Sequence, residues 1–216
     1  MNKKTLIITA VLVIPLIVVG VMRWSSHDEL LSKLPANIRP VSVVPPVAIQ
    51  DFTLTSMDKR PVKLDDLKGK WSFVFFGYTS CPDVCPATLA QLALVNKTIK
   101  KNYGDKTKPV FYFVSVDPGR DTPKRLAAYI TYFDKDFIAM TGANEDVVLA
   151  FEKQFGAYHT YGQKDSHGNY PVSHSADIYL VDPDGAVVAK FRPPMNIPQM
   201  AQQYSEIIDF FNHNVS

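Results

Sequence analysis

Trp71-Ser-Phe-Val-Phe-Phe-Gly-Tyr-Thr-Ser-Cys-Pro-Asp-Val-Cys-Pro86 (WSFVFFGYTSCPDVCP) carries a continuous apolar run into the chain's two cysteines, Cys81 and Cys85. An unbroken run from Trp71 to Phe76 reads as a strand covered on both faces. Beyond Pro86, Leu92, Val95, Ile99 and Tyr103 recur at helical spacing and Gly104 supplies a stop, so a helix over about residues 86–103 is expected. Strand, cysteine loop, helix is therefore the local order. Pro86 fits the first helical position, which would make Cys85 the N-cap and leave Cys81 in the preceding loop.

Working outward, Asp51–Ser56 (DFTLTS) alternates like a strand, and Pro109–Asp117 (PVFYFVSVD) reads as a second buried strand. Thr122-Pro123 gives an N-cap with proline at the first helical position, which completes a right-handed βαβ unit. FIAMTG reads as a third strand, and Asn144 caps a helix running to Gly156. Ile178–Val181, the turn Asp182-Pro-Asp-Gly185 and Ala186–Phe191 form a β-hairpin pattern. A last amphipathic helix covers about Pro198–Phe211. The expected fold is α/β: a thioredoxin-like mixed sheet flanked by helices.

With 216 residues, 46% apolar and 20% charged, the chain suits one globular core. Lys3-Lys4 precede an uncharged run of 18 residues, Thr5–Met22, which is long enough to span a bilayer's hydrocarbon core. A cleaved signal peptide would carry a shorter apolar region and a small-x-small site, for which Val19–Trp24 is a poor match. The expected organisation is a membrane anchor over 1–23, a proline-bearing tether over 24–48 (Pro35, Pro40, Pro45, Pro46) and a domain over 49–216. The charge bias around the apolar run keeps the N-terminus cytoplasmic and exports the domain. No Arg/Ser-rich transit peptide precedes the run, which favours a bacterial inner membrane and a periplasmic domain. Without Lys3, Lys4 and Arg23, 20 basic residues face 21 acidic ones, a balance that argues against a nucleic-acid surface.

Two thiols four positions apart admit three uses: a structural pair, a redox dithiol or a metal clamp. A bridge of this span closes too short a loop to stabilise much. In a sheet of this class, chemistry gathers beyond the carboxyl ends of the parallel strands, and the cysteine loop lies there. The start of a helix favours thiolate, the form that reacts and that binds metal. A soft two-thiolate site suits copper(I), and an added imidazole lets it hold copper(II) as well.

Among five histidines, His27 lies in the expected tether, His213 at the C-terminal end, His167 in a loop tip, and His159 in a strand or lining the site. His174 stands just before the strand Ser175–Val181, an antiparallel strand that starts at the edge where the parallel strands end, so it can reach the cysteine loop. Asp117 ends the second parallel strand at that same edge and serves either behind a ligand or as a cap for the loop Gly119–Thr122. Met195 is either an extra copper contact or a gap-filling side chain.

Three motifs in order and spacing, Gly77–Pro86, Ser115–Pro123 (SVDPGRDTP) and His174-Ser175 with Tyr179–Gly185 (YLVDPDG), resemble the Sco (SCO/SenC) family of membrane-anchored assembly factors for cytochrome c oxidase. The resemblance implies a thioredoxin-like fold in which Cys81, Cys85 and His174 bind one copper. It further implies delivery to the binuclear copper site on the oxidase's copper-bearing subunit, with other copper chaperones or thioredoxin-like reductants as further partners. The same thiols could reduce the recipient's disulfide, so an envelope thiol-disulfide oxidoreductase stands as the alternative, with Cys81 and Cys85 as its reactive groups. One departure is visible: Ser173 stands where many relatives carry an acidic residue before the histidine, so the orientation of that imidazole is left to the fold.

Overall fold

The computed structural model describes residues 30–104 and 108–214. The expected anchor over 1–23 lies outside the described residues; among those described, no helix is long and apolar enough to cross a membrane. The chain divides into two units, up to Pro40 and from Val41 onward, and the second carries the fold.

That unit contains β1 (Ser42–Ala48), β2 (Thr53–Ser56), β3 (Pro61–Lys63), α1 (Leu64–Leu67), β4 (Ser72–Gly77), α2 (Val84–Tyr103), β5 (Val110–Ser115), α3 (Pro123–Ile130), β6 (Ile138–Thr141), α4 (Glu145–Lys153), β7 (His159–Tyr161), β8 (Val172–His174), β9 (Ile178–Val181), β10 (Ala186–Phe191) and α5 (Ile197–Asn214). Eight strands form one mixed sheet in the order β1-β10-β9-β4-β5-β6-β2-β3, and β7 and β8 form a separate two-stranded sheet. β4, β5 and β6 run parallel, with Ser72 opposite Val110 and Gly77 opposite Ser115, while β9 lies antiparallel on the other side of β4. This is the expected thioredoxin-like plan with an antiparallel hairpin added at one side.

Every residue of β4 is buried, as a central strand without alternation requires. On one face Phe73 stacks on Phe111 at 5.0 Å between ring centres and meets Tyr204 of α5 at 5.4 Å. On the other, Phe76 packs against Phe151 of α4, Phe155 and Tyr179 at 5.3–6.0 Å. Aromatic pairs at these separations add to the burial of each ring, itself worth about 1.5–3 kcal/mol.

The local signals read from sequence account for the helix starts beyond β5 and β6. Thr122 accepts the Arg125 N–H with Pro123 at the first helical position of α3, and Asn144 accepts the Val147 N–H at the start of α4. The β9–β10 turn is closed by Asp182, whose Oδ1 accepts the N–H groups of Asp184 at 3.0 Å and Ala186 at 2.8 Å; Gly185 takes φ +82°, which a side chain would strain.

One correction falls at the N-terminal side: residues 42–48, expected to belong to the tether, form β1 against β10. Pro45 and Pro46 misled because proline is excluded only from strands with two neighbours, and β1 is an edge strand. A second falls at the cysteines: α2 begins at Val84 with Asp83 as N-cap, so Cys85 and Pro86 both lie inside the first turn. The first-turn N–H groups have no intrahelical acceptor, so proline costs nothing there, and Cys81 Sγ accepts the Cys85 N–H at 3.3 Å in place of a side-chain cap.

Candidate metal centre

Beyond the carboxyl ends of β4 and β5, the sulfurs of Cys81 and Cys85 and a ring nitrogen of His174 lie within 4.8 Å of one another. Both cysteines are free thiols, Cys85 buried and Cys81 partly exposed. Cys81 sits in the turn after β4, its N–H on the Tyr78 carbonyl at 3.2 Å. Cys85 points inward, and the fold makes room for it with a glycine: a Cβ on Gly77 would stand 3.0 Å from Cys85 Sγ and 2.8 Å from the Phe113 ring.

His174 ends β8, not the strand that continues to Val181, because residues 159–161 pair with 172–174 as a separate hairpin. Four residues later β9 begins beside β4, so the histidine still arrives at the expected edge. Its Nδ1–H donates to the Ser175 carbonyl at 2.9 Å, which leaves the Nε2 lone pair facing Cys85 Sγ at 3.2 Å. A backbone carbonyl thus does the orienting that an acidic neighbour at position 173 would otherwise do.

The two thiols titrate in opposite directions. The Cys85 thiol donating to it, aided by the N–H groups of Cys85 and Asp83, holds Cys81 far below the ordinary thiol range, at about 3, against the opposing effect of burial. The same sharing of one proton, reinforced by burial, pushes Cys85 far up. At neutral pH the pair is one thiolate and one thiol. Alkylation of Cys81 is therefore expected to stay nearly constant between pH 8 and pH 5, whereas an ordinary thiol with pKa about 8.5 slows roughly tenfold per unit. Mass-spectrometric rates at Cys81 that fall with pH like those of a free cysteine would refute this reading.

Metal bonds of 2.0–2.3 Å place donor atoms about 3.5–4 Å apart, so three donors within 4.8 Å need little movement to close on one ion. The set is soft, and among the described residues no other group of three such donors occurs. Structural zinc wants a fourth protein ligand, whereas two thiolates and one imidazole suit a low-coordinate copper(I) ion.

The SCO1/SenC family model matches residues 44–209. The chain belongs to the SCO1/SenC family. A "Putative copper-binding protein" of Stutzerimonas stutzeri is 32% identical over 162 residues, 75% of this chain and 78% of that protein. A mitochondrial SCO2 homologue of Mus musculus is 35% identical over 137 residues, and the match spans about half of that longer protein, 52%. The crystal structure of Arabidopsis thaliana ScoI with copper bound aligns with a TM-score of 0.68 at 30% identity, covering 74% of this chain and 98% of that one. A structure of BsSco, described as a member of the Sco family of cytochrome c oxidase assembly proteins with a disulfide switch, aligns with a TM-score of 0.61 at 26% identity over 77% of this chain and 95% of that one.

In this SCO1/SenC chain the remaining sequence candidates have other partners. Asp117 is fully buried outside the sulfur–nitrogen cluster, with Arg120 Nε on one carboxylate oxygen and the Tyr170 hydroxyl on the other at 2.8 Å. Its backbone carbonyl accepts the N–H groups of Arg120 and Asp121 at the start of the loop that follows. His159 is directly opposite His174 in the hairpin, but its Nδ1 is paired with buried Glu152 at 2.5 Å. His167 lies exposed in the loop closed by Asp165, and His213 is exposed near the end of α5. Met195 precedes α5, its N–H held by Gln91 of α2 at 3.1 Å.

Sequence reading passed over Asp121, which organises the cysteine loop from behind. Buried, it accepts the Thr79 N–H at 2.9 Å, the Thr79 hydroxyl at 2.5 Å and the Ser115 hydroxyl at 2.6 Å. Arg125 of α3 adds bonds to Thr79 Oγ1 at 2.6 Å and Ser80 Oγ at 2.9 Å. An acidic residue just before a Thr-Pro cap looks like ordinary loop chemistry; nothing local tells that it reaches back 42 positions.

Proposed function

We propose that this chain is a membrane-anchored copper carrier. It binds one copper through the Cys81 and Cys85 thiolates and His174 Nε2, and passes it to the binuclear copper site of cytochrome c oxidase. The observation that carries the reading is the convergence of three soft donors from two separate segments, with the imidazole already in the tautomer that ligates. Copper arrives as cargo: Cys85 gives up its proton on binding, so affinity falls as pH falls. The exposed side of Cys81 leaves one face open for a recipient's ligand to take over. The apolar run Thr5–Met22 and its flanking charges support an inner-membrane anchor with the N-terminus cytoplasmic and the domain periplasmic.

A second reading is favoured by the low-pKa, partly exposed Cys81 beside a buried partner. In it, the Cys81 thiolate attacks a disulfide of the recipient, releasing one recipient thiolate, which takes a proton, and forming a mixed disulfide. Cys85, deprotonated, then attacks Cys81 Sγ and releases the second recipient thiolate, leaving Cys81–Cys85 oxidised by two electrons.

Anaerobic copper(I) titration of the full chain in detergent, against a competing chelator, tests the first reading. One tight equivalent is expected, weakened by about 100-fold or more in His174→Ala, beyond the ~10–100-fold typical of losing a group behind a ligand. Binding indifferent to His174, with thiol exchange intact, would favour the second.

A further inference from the structure

The metal centre is assembled from two pieces that do not share a backbone hydrogen-bond ladder. One is the cysteine loop with α2; the other is the β7–β8 hairpin bearing His174. Something must hold the hairpin to the loop closely enough for an imidazole and two sulfurs to meet at one ion.

Arg120 stands at that joint. Its Nε is fixed by Asp117, whose other oxygen takes the Tyr170 hydroxyl, and its Nη1 donates to the Tyr170 carbonyl at 3.0 Å. Its guanidinium lies 3.7 Å from the centre of the Tyr170 ring and 5.8 Å from that of Tyr78. Tyr170 leads into β8; Tyr78 leads into the cysteine turn and sets its ring edge against His174, with centres 5.8 Å apart. The Tyr78 hydroxyl also lies 3.5 Å from the Val172 N–H in β8. Arg120 Nη2 is buried without a hydrogen-bond partner. That cost fits a group placed for the geometry around it rather than for its own solvation.

We propose that Arg120 is the positioning residue that locks the His174 half of the centre onto its cysteine half. It touches no ligand atom and acts through Tyr170 and Tyr78 on where His174 Nε2 comes to rest. Lysine cannot replace it, since an ammonium lacks the planar fork that bonds Asp117 and the Tyr170 carbonyl while lying against a ring. The inference rests on the copper reading above.

The test is a double-mutant cycle on the full chain, read by copper(I) affinity and, for the copper(II)-loaded protein, by nitrogen coupling in electron paramagnetic resonance. Arg120→Ala is expected to weaken copper(I) about tenfold and to reduce the nitrogen coupling. In a His174→Ala background the same change should add at most about twofold, because both substitutions remove one interaction. Arg120→Lys keeps Asp117 beside a cation and decides the matter if Arg120→Ala fails to fold; it should show the same coupled loss. An equal loss with and without His174, or unaltered nitrogen coupling, overturns the proposal and leaves copper carriage standing. If the unaltered protein takes up no tight equivalent of copper, the carrier reading fails and this inference falls with it.

Discussion

Cys81→Ser and Cys85→Ser are each expected to abolish tight copper(I) binding, weakening it at least about 1,000-fold, or roughly 4 kcal/mol at 1.4 kcal/mol per decade. The reason is chemical as well as geometric. A serine hydroxyl is a hard donor that stays protonated at neutral pH, and copper(I) prefers soft thiolate. The two variants should differ in what else they do. Cys81 is partly exposed and its sulfur caps the first turn of α2, so serine can keep that hydrogen bond and the fold with it. Cys85 is wholly buried between Gly77 and His174, and its removal also takes away the contact that faces Nε2. Anaerobic chelator competition on both variants, with circular dichroism to confirm folding, is the measurement. Near-native affinity in either folded variant would end the three-donor reading.

Asp121→Ala is expected to destabilise the domain by about 3–5 kcal/mol, the cost of breaking a buried charged network from one side. Three donors, the Thr79 N–H and hydroxyl and the Ser115 hydroxyl, lose their acceptor together. At roughly 2–4 °C per kcal/mol for a domain of this size, the midpoint of thermal unfolding should drop by about 6–20 °C. Because Thr79 lies two residues before Cys81, copper(I) affinity should fall as well, and Asp121→Asn should recover part of both losses by restoring an acceptor. Calorimetry showing a shift of under about 2 °C would mean that Asp121 is a bystander, since surface substitutions stay within about 0.5 kcal/mol.

Much of this protein was determined locally by its sequence. The continuous run Trp71–Phe76 reads as a strand covered on both faces, and the caps at Thr122 and Asn144 are set by side chains that bond their own backbone three residues on. The two cysteines at the end of a parallel strand pointed to the chemistry, and the three motifs pointed to the family. Residues within a few positions of one another decide such features, so a window of sequence holds the whole cause. Tertiary structure decided what depends on distant partners. Pro45 and Pro46 entered a strand because, among the described residues, its outer edge has no neighbour to require the N–H groups that proline lacks. Cys85 entered the helix because the Cys81 sulfur supplied the cap, and His174 found its tautomer from the Ser175 carbonyl. Asp121, Arg120 and Tyr170 were invisible as site residues for the same reason. The partners that tie them to the site lie 42 to 53 positions away, and a hydrogen bond or a ring stack at that range leaves no periodicity or spacing to read.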